Sequence, residues 1–281
     1  MRIDRLLVAA CERLAAVGSP SARLDAEVLL GHVLGRDRTW LYTWSDREVT
    51  DTDLAHFERL IVKRSAGEPV AYLIGEREFW GLRLGTHDAT LIPRPDTESL
   101  VEAALARASE PSGRALDLGT GSGAIALAFA SERPGWCVFG VDRIPAAVAL
   151  ARDNAMRLGI ANATFHESDW FAALAGESFT LILSNPPYLA DDDPHLALGD
   201  VRFEPRSALV AGDAGLADLY HLIATARVHL EPGGWLLLEH GLNQGAAVRE
   251  ALSDAGYGDV ATLDDLGGRP RVSLGRFCTA S

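Results

Sequence analysis

The chain is predicted to be an α/β protein: a mostly parallel sheet with helices on both faces, preceded by a small helical bundle. Three observations predict it. Apolar residues recur at helical spacing from Ile3 to about Gly75. After residue 113 short apolar runs alternate with amphipathic stretches, the pattern of βαβ units. The first of those runs ends in three alternating glycines, Gly119, Gly121 and Gly123.

Length agrees with two unequal domains: 281 residues, 48% apolar and 23% charged, exceed what one typical domain of ~150 residues needs and can bury a full core. In the first segment Ile3, Leu6, Leu7, Ala10 and Leu14 fall on one helical face, and GSPS (18 to 21) and GRD (35 to 37) break the pattern, which predicts four or five helices. The stretch EREFWGLRLGTHDATLI (76 to 92) is aromatic and β-branched around Gly81 and Gly85, as a hairpin or extended connector would be. Pro93 and Pro95 then precede Asp96 and Thr97, either of which can cap a helix running to about Ala108. The domains are therefore expected at 1–75, 76–95 and 96–281.

The second segment reads RALDL, AIALAFASERP, WCVFGV, PAAVALARDNAMRLG, ATFHE and FTLILS. A helix is expected near Leu216 to Leu230, then a strand GWLLLEH, a helix near Gln244 to Ala255, and two runs, DVATL and RVSLGR. Those two have no helix between them and should pair antiparallel at one edge.

Composition excludes several function classes. There are 26 basic and 39 acidic residues, a net charge of -13, which argues against a surface that blankets nucleic acid or an anionic membrane. The first 84 residues carry 12 basic and 13 acidic side chains and the remainder 14 and 26, so -12 of the -13 lies after residue 84. Cys11, Cys137 and Cys278 are too few and too widely spaced for a disulfide framework or a CxxC site. No apolar run approaches the ~20 residues a membrane span needs. A cytoplasmic, unprocessed monomer is the expectation.

The glycine loop Gly119, Thr120, Gly121, Ser122, Gly123 lies between a strand and a helix, where backbone can approach a ligand closely and helix N–H groups are free. Asp142 closes the second strand 19 residues after Gly123, a position from which an acid can accept hydrogen bonds from both hydroxyls of a ribose. Both NAD and S-adenosylmethionine carry that ribose, and Gly119, Gly121 and Ala124 also fit a dinucleotide fingerprint. Asp117, inside DLGTGSG, fits a methyltransferase loop better, as an acid that helps organise the amino-acid end of the cofactor.

Asn185, Pro186, Pro187 and Tyr188 follow the strand FTLILS directly. Methylating a planar nitrogen is poorly served by a general base, because the lone pair is delocalised and the N–H groups are very weak acids. Fixed oxygens that accept both N–H hydrogens serve better. The Asn185 side-chain oxygen and the Pro186 carbonyl can do so, with the two prolines restricting the backbone in advance. Tyr188 can stack on the planar group, and holding nitrogen in line with a methyl donor can remove up to ~7 to 11 kcal/mol of barrier. A glutamine amide, adenine N6 and cytosine N4 all present the same flat N–H pair. The acids at 191 to 193 are expected in a solvated loop and His240 in a structural role; no metal is expected.

With these residues in view, the chain resembles the release factor glutamine methyltransferase (PrmC/HemK) family nearly end to end. The resemblance rests on LIPRPDTE (91 to 98), LDLGTGSGAIALA (116 to 128), SDWF (168 to 171), SNPPY (184 to 188), DVRFEPRSALVAG (200 to 212) and LLLEHG (236 to 241). It implies a helical substrate-gripping N-terminal domain and a Rossmann-like class I domain dependent on S-adenosylmethionine, which leaves as S-adenosylhomocysteine. It implies transfer to N5 of the glutamine in the GGQ motif of class 1 peptide chain release factors. Cofactor contacts would then fall on Gly119, Thr120, Gly121, Ser122, Gly123, Asp142, Trp170 and Asn185, with Trp170 flanking the adenine. The glutamine would be held by Asn185, Pro186, Pro187 and Tyr188, with Asn185, Pro186 and Tyr188 catalytic. Two alternatives remain at this stage, a nucleic-acid amino-methyltransferase and a noncatalytic S-adenosylmethionine-binding protein; an NAD oxidoreductase lacks an evident proton donor.

Overall fold

The computed structural model describes residues 1–278. Contacts divide these into a unit of residues 1–76 with 197–203, and a second unit of the remainder. Five helices build the first unit: α1 (Ile3–Ala16), α2 (Ala22–Leu34), α3 (Arg38–Thr43), α4 (Asp51–Ser65) and α5 (Val70–Ile74). The apolar stripe of α1 is its buried face, with Ile3, Leu6, Leu7, Ala10 and Leu14 all at 3% exposure or less, packed with Leu29, Leu30, Phe57 and Ile61. GRD serves both neighbouring helices. Gly35 takes the left-handed conformation that ends α2, and the Asp37 carboxylate accepts the Trp40 N–H at 2.7 Å to start α3. Arg64 near the end of α4 joins Asp25 at 2.8 Å and Asp200 at 2.9 Å.

The second unit opens with a hairpin of β1 (Glu76–Phe79) and β2 (Leu82–Gly85). Trp80 and Gly81 between them both have positive φ, as a two-residue hairpin turn requires. Then come α6 (Glu98–Leu105), β3 (Arg114–Leu118), α7 (Ala124–Glu132), β4 (Cys137–Asp142), α8 (Pro145–Leu158), β5 (Ala163–Glu167) and β6 (Phe179–Ser184). The chain ends with a distorted turn α9 (Gly212–Gly215), α10 (Ala217–Ala226), β7 (Leu230–Glu239), α11 (Gly245–Asp254), β8 (Tyr257–Asp264) and β9 (Pro270–Phe277).

Seven strands form one sheet in the order β5-β4-β3-β6-β7-β9-β8. The first five are parallel, and β9 pairs antiparallel with both β7 and the edge strand β8. This is the edge pairing expected for two runs without a helix between them. Alternation along each strand feeds two cores: Ala115, Leu181 and Leu183 pack with α6, α7 and α8, whereas Leu116, Leu118 and Ile182 pack with α10 and α11.

One expected boundary is corrected, and one expected cap lacks its hydrogen bond. The helix expected to run from Leu216 to Leu230 ends at Ala226, and Leu230 begins β7. Leu230 pairs with Phe179 in the sheet and is buried, so ladder pairing overrides helical periodicity there. Thr97 stands at the N-cap of α6, one of the two expected positions, but no side chain makes a capping hydrogen bond there. Asp96 and Thr97 both lie in a 3₁₀ turn, Pro95–Thr97, and their side chains are engaged elsewhere: Asp96 with Arg271 at 3.3 Å and Thr97 with Asn185 at 3.1 Å. Among the described residues no helix is long and apolar enough to cross a membrane.

Candidate active site

Strand order reverses between β3 and β6, and open α/β sheets bind ligands at such a reversal, outside the carboxyl ends of the strands. Register fixes who meets there. Leu118 pairs with Val141 on one side and Ser184 on the other, so Gly119, Asp142 and Asn185 come next in three adjacent strands. The Ser184 hydroxyl donates to the Leu118 carbonyl at 2.8 Å and ties the ends of β3 and β6 together. A cavity at this edge is lined by Gly119, Thr120, Gly121, Ser122, Asp142, Trp170, Asn185 and Pro187, with Phe79, Thr97, Arg143 and Asp218 among its other walls.

The glycine loop is shaped from both ends. Gly119, Gly121 and Gly123 have φ of +70°, +54° and +83°, a region that costs an L side chain roughly 1 kcal/mol or more. The N–H groups of Gly119 and Thr120 both donate to the Val141 carbonyl at 2.9 Å. Asp142 holds the loop from β4: Oδ2 accepts the Gly121 N–H at 3.0 Å and Oδ1 the Ile144 N–H at 2.9 Å. Asn154 of α8, buried, donates to the carbonyls of Ser122 at 2.8 Å and Gly85 at 3.2 Å and accepts the Gly85 N–H at 2.7 Å. One side chain thus fastens loop to hairpin.

Asp117 does not line the cavity. It is fully buried beneath the loop, where Oδ2 accepts the Thr120 hydroxyl at 2.6 Å and the Ala126 N–H of α7 at 3.2 Å, while Oδ1 has no partner. Burial, against those two hydrogen bonds, pushes its carboxyl up to about 7. An unfolded Asp loses its proton near 3.8, so between these values the folded state holds more protons and stability falls as pH rises, by up to ~1.4 kcal/mol per pH unit. Thermal unfolding from pH 4 to 8 is expected to show this slope, and Asp117→Asn to flatten it; parallel curves for the two proteins would contradict the assignment.

Trp170, after β5, sits at φ +48°, packs partly on the lower core and also lines the cavity. A Cβ added to Gly119 would meet its indole at 3.4 Å, so loop and ring form a slot.

The NPPY segment divides. Asn185 and Pro187 line the cavity; Pro186 is buried and Tyr188 half-buried, and neither lines it. Asn185 donates its Nδ2 to the Thr97 hydroxyl at 3.1 Å, which leaves Oδ1 as a free acceptor. The Tyr188 hydroxyl donates to Glu239 Oε1 at 3.3 Å, and its backbone carbonyl accepts from Gln244 Nε2 at 3.0 Å. Gly215 passes so close that a Cβ there would lie 2.1 Å from the Tyr188 carbonyl oxygen, so only glycine lets this backbone close behind the motif. Arg94 and buried Glu204 form an ion pair, and Arg143 donates to the Ser207 carbonyl at 3.4 Å, setting the chain that contributes Ser207 and Ala208 to the cavity.

The His240 ring contacts the Gly241 carbonyl and the Ser273 hydroxyl, each at 2.9 Å, and burial lowers its pKa. Of the three neighbouring acids, Asp191 pairs with Arg206 and Asp193 with His195; among the described residues no cluster of three or more His, Cys, Asp or Glu could hold a metal ion.

A profile of the PrmC N-terminal domain matches residues 5–75, and a profile described as a methyltransferase domain matches 109–248. The release factor glutamine methyltransferase of Vibrio cholerae is 55% identical over 278 residues, 99% of this chain and 97% of that protein. The chain belongs to the release factor glutamine methyltransferase family. The Escherichia coli member is 56% identical over 92% of this chain and 94% of its own length. A solved methyltransferase from Pyrococcus furiosus superposes with a TM-score of 0.55 at 19% identity, over 79% of this chain and 98% of that one, a likeness of fold.

In this methyltransferase the sequence alone gave no role to Thr97 beyond a cap and none to Glu239 or Asn154. Glu239 had one signal: a carboxylate closing the otherwise apolar run LLL, which a buried strand does not carry without a reason. Asn154 had a similar one, an amide on the apolar stripe Ala147, Val148, Ala151 and Ala155 of α8; Thr97 had none, since a Thr after Pro-Asp is ordinary.

Proposed function

We propose that the protein transfers a methyl group from S-adenosylmethionine to N5 of the glutamine in the GGQ motif of class 1 peptide chain release factors. The single observation that carries it is Asn185: it opens into the cavity of the glycine loop with its N–H end tied to Thr97 and its oxygen unengaged.

The cavity suits the cofactor on several counts. Gly119 to Gly123 present a backbone cradle without Cβ atoms at its three turning points, and Trp170 faces Gly119 across a space one side-chain atom would fill. Asp142 keeps lone pairs for ribose hydroxyls beyond the two backbone N–H groups it accepts. Asp142 and Asp218 put negative charge on the walls, suited to a sulfonium. When bound, the cofactor supplies an electrophilic methyl group on that sulfonium.

The chain's own residues do the rest. Asn185 Oδ1 accepts one N–H of the acceptor amide; Pro186 is buried outside the cavity lining, and its carbonyl, restricted by Pro187, is the next fixed acceptor along the chain for the other. Density then rises on nitrogen, and the acceptor is oriented before reaction, so that no reorganisation is needed in the transition state. The nitrogen loses its proton once methylated, when it has become strongly acidic. Tyr188, anchored at its hydroxyl by Glu239, keeps the Pro-Pro backbone from drifting.

Residues 1–75 hold the release factor, 76–95 connect, and 96–281 carry out transfer. Support for the first role comes from large apolar side chains on the helical unit that remain exposed, Val8, Leu24, Tyr42 and Trp44, together with its near-neutral charge. A flat amino group on adenine or cytosine would fit the same oxygens, but the acidity of the transfer segment opposes a polyanion.

The test supplies labelled S-adenosylmethionine with a release factor, its GGQ-to-GGA variant and duplex DNA, and maps the label by mass spectrometry. Label on the GGQ glutamine alone is expected; label on DNA, or equal label on the GGA variant, overturns the reading.

A further inference from the structure

We infer, resting on the reading that Asn185 and Pro186 receive the acceptor amide, that Gln244 is a positioning residue which fixes the NPPY backbone through the Tyr188 carbonyl. Asn185 to Pro187 spans the gap between two fixed points. The first is Ser184, paired with Leu118 and Leu238 in the sheet and bonded through its hydroxyl to the Leu118 carbonyl at 2.8 Å. The second is Tyr188. Two prolines of fixed φ lie between them, so a displacement of Tyr188 is passed to the Pro186 carbonyl and to Asn185 rather than absorbed.

Tyr188 is held by the chain that leaves β7. Its hydroxyl donates to Glu239 Oε1 at 3.3 Å, and its carbonyl accepts from Gln244 Nε2 at 3.0 Å. Because β6 and β7 run parallel with Ser184 beside Leu238, the two chains leave the sheet together. The turn after β7 is closed on itself. The Gln244 N–H donates to the Gly241 carbonyl at 3.0 Å, and the Gly241 N–H donates back to Gln244 Oε1 at 2.8 Å. The His240 N–H ties the same turn to the Arg271 carbonyl of β9 at 3.0 Å.

This leaves one orientation for the Gln244 amide. Gly241 offers an N–H and needs an acceptor, whereas Tyr188 offers a carbonyl and needs a donor, so Oε1 faces the first and Nε2 the second. An ionised glutamate of the same length would set oxygen against oxygen at Tyr188. The surroundings leave little room for the bond to shift. A Cβ on Gly215 would lie 2.1 Å from the Tyr188 carbonyl oxygen and 2.9 Å from Gln244 Nε2, and one on Gly241 would lie 3.1 Å from Gln244 Oε1. Beyond this point Leu189 pairs only with the loop at 209–211, so Glu239 and Gln244 tie Tyr188 back to the sheet.

The test uses the full-length protein and its Gln244→Glu and Gln244→Met variants. A protonated carboxyl carries one acceptor and one O–H donor, as the amide does, whereas a carboxylate only accepts. Gln244→Glu should therefore lose the Tyr188 bond when ionised and regain it when protonated. A carboxylate at the start of α11 lies on the favourable side of the helix dipole, so the fold should stand. Gln244→Met keeps the length and neither polar end.

At about pH 8 both variants are expected to lower kcat about tenfold, the scale of one buried hydrogen bond, with KM for S-adenosylmethionine within about twofold. As pH falls to about 5, the ratio of Gln244→Glu to wild-type kcat should rise toward one, and the Gln244→Met ratio should stay flat. Ratios remove the titrations that all three proteins share. Glu239, which burial pushes up to about 7, and His240 border the turn, with Arg249 of α11, Arg271 of β9 and Asp213 of α9 as its charged neighbours. Independently of turnover, the Tyr188 carbonyl-carbon resonance should show a titration in Gln244→Glu that wild type and Gln244→Met lack. A ratio indifferent to pH, or a Tyr188 resonance alike in all three proteins, would overturn the positioning role. If wild type labels no release factor glutamine, the methylation reading fails on its own, and the Tyr188 resonance still decides whether Gln244 holds the NPPY backbone.

Discussion

Asn185→Ala is expected to lower kcat for release factor methylation by about 10²–10³-fold, the cost of removing one preorganised hydrogen-bonding group from a transition-state site. Only part of the side chain faces the cofactor cradle, so the dissociation constant for S-adenosylmethionine should change by less than about tenfold, because the lost contact strengthens mainly as the reacting nitrogen gains charge. The fold should survive, since Asn185 is half-buried and its one side-chain hydrogen bond goes to Thr97. Single-turnover rates at saturating cofactor, beside calorimetric binding, separate the two effects. A variant with normal kcat and raised KM would make Asn185 a binding residue and remove the basis for the proposed chemistry.

Asp142→Ala is expected to act on the opposite quantity. It deletes the acceptor of the Gly121 N–H and of the Ile144 N–H, so the loop keeps only its Val141 contacts to β4 and the start of α8 loses its side-chain partner. It also removes the carboxylate available to the ribose. Hydrogen bonds to a charged group are each worth ~1.5–3 kcal/mol, so cofactor affinity should fall by about 10²-fold or more. At saturating cofactor the rate should stay within about tenfold of wild type. Asp142→Asn, which keeps one acceptor oxygen, should fall between the two. Calorimetric titration with S-adenosylhomocysteine checks both variants, and an unchanged affinity in Asp142→Ala would move Asp142 out of the cofactor site.

These two residues were legible before any coordinates because each is announced by its neighbours in sequence. Asp142 ends an apolar strand at a set distance from a glycine loop, and Asn185 is followed by two prolines and a tyrosine. Trp170 was legible only through the family resemblance: an indole after SD looks like any core aromatic, and in the structure it is partly that. Asp117 was legible as a loop acid, but its direction was not. It points under the loop to Thr120 and Ala126, where it is fully buried. Tyr188 was expected against the acceptor, and its hydroxyl is found on Glu239.

By itself the sequence determined the kinds of element, the antiparallel edge and the glycine loop, and it supplied the proposal that the NPPY segment serves a planar nitrogen. Each depends on residues within a few positions of one another, where periodicity, proline geometry and glycine freedom act through the local backbone. Only the tertiary structure decided which strand ends lie side by side and what stands behind Asn185. Thr97 is 88 positions from Asn185, and Glu239 is 51 from Tyr188. Their meeting follows from the crossover that seats β3 beside β6 and β7 beside β6 in one register. Hydrogen bonds between side chains act over about 3 Å, so the orientation of a single amide waited on that register.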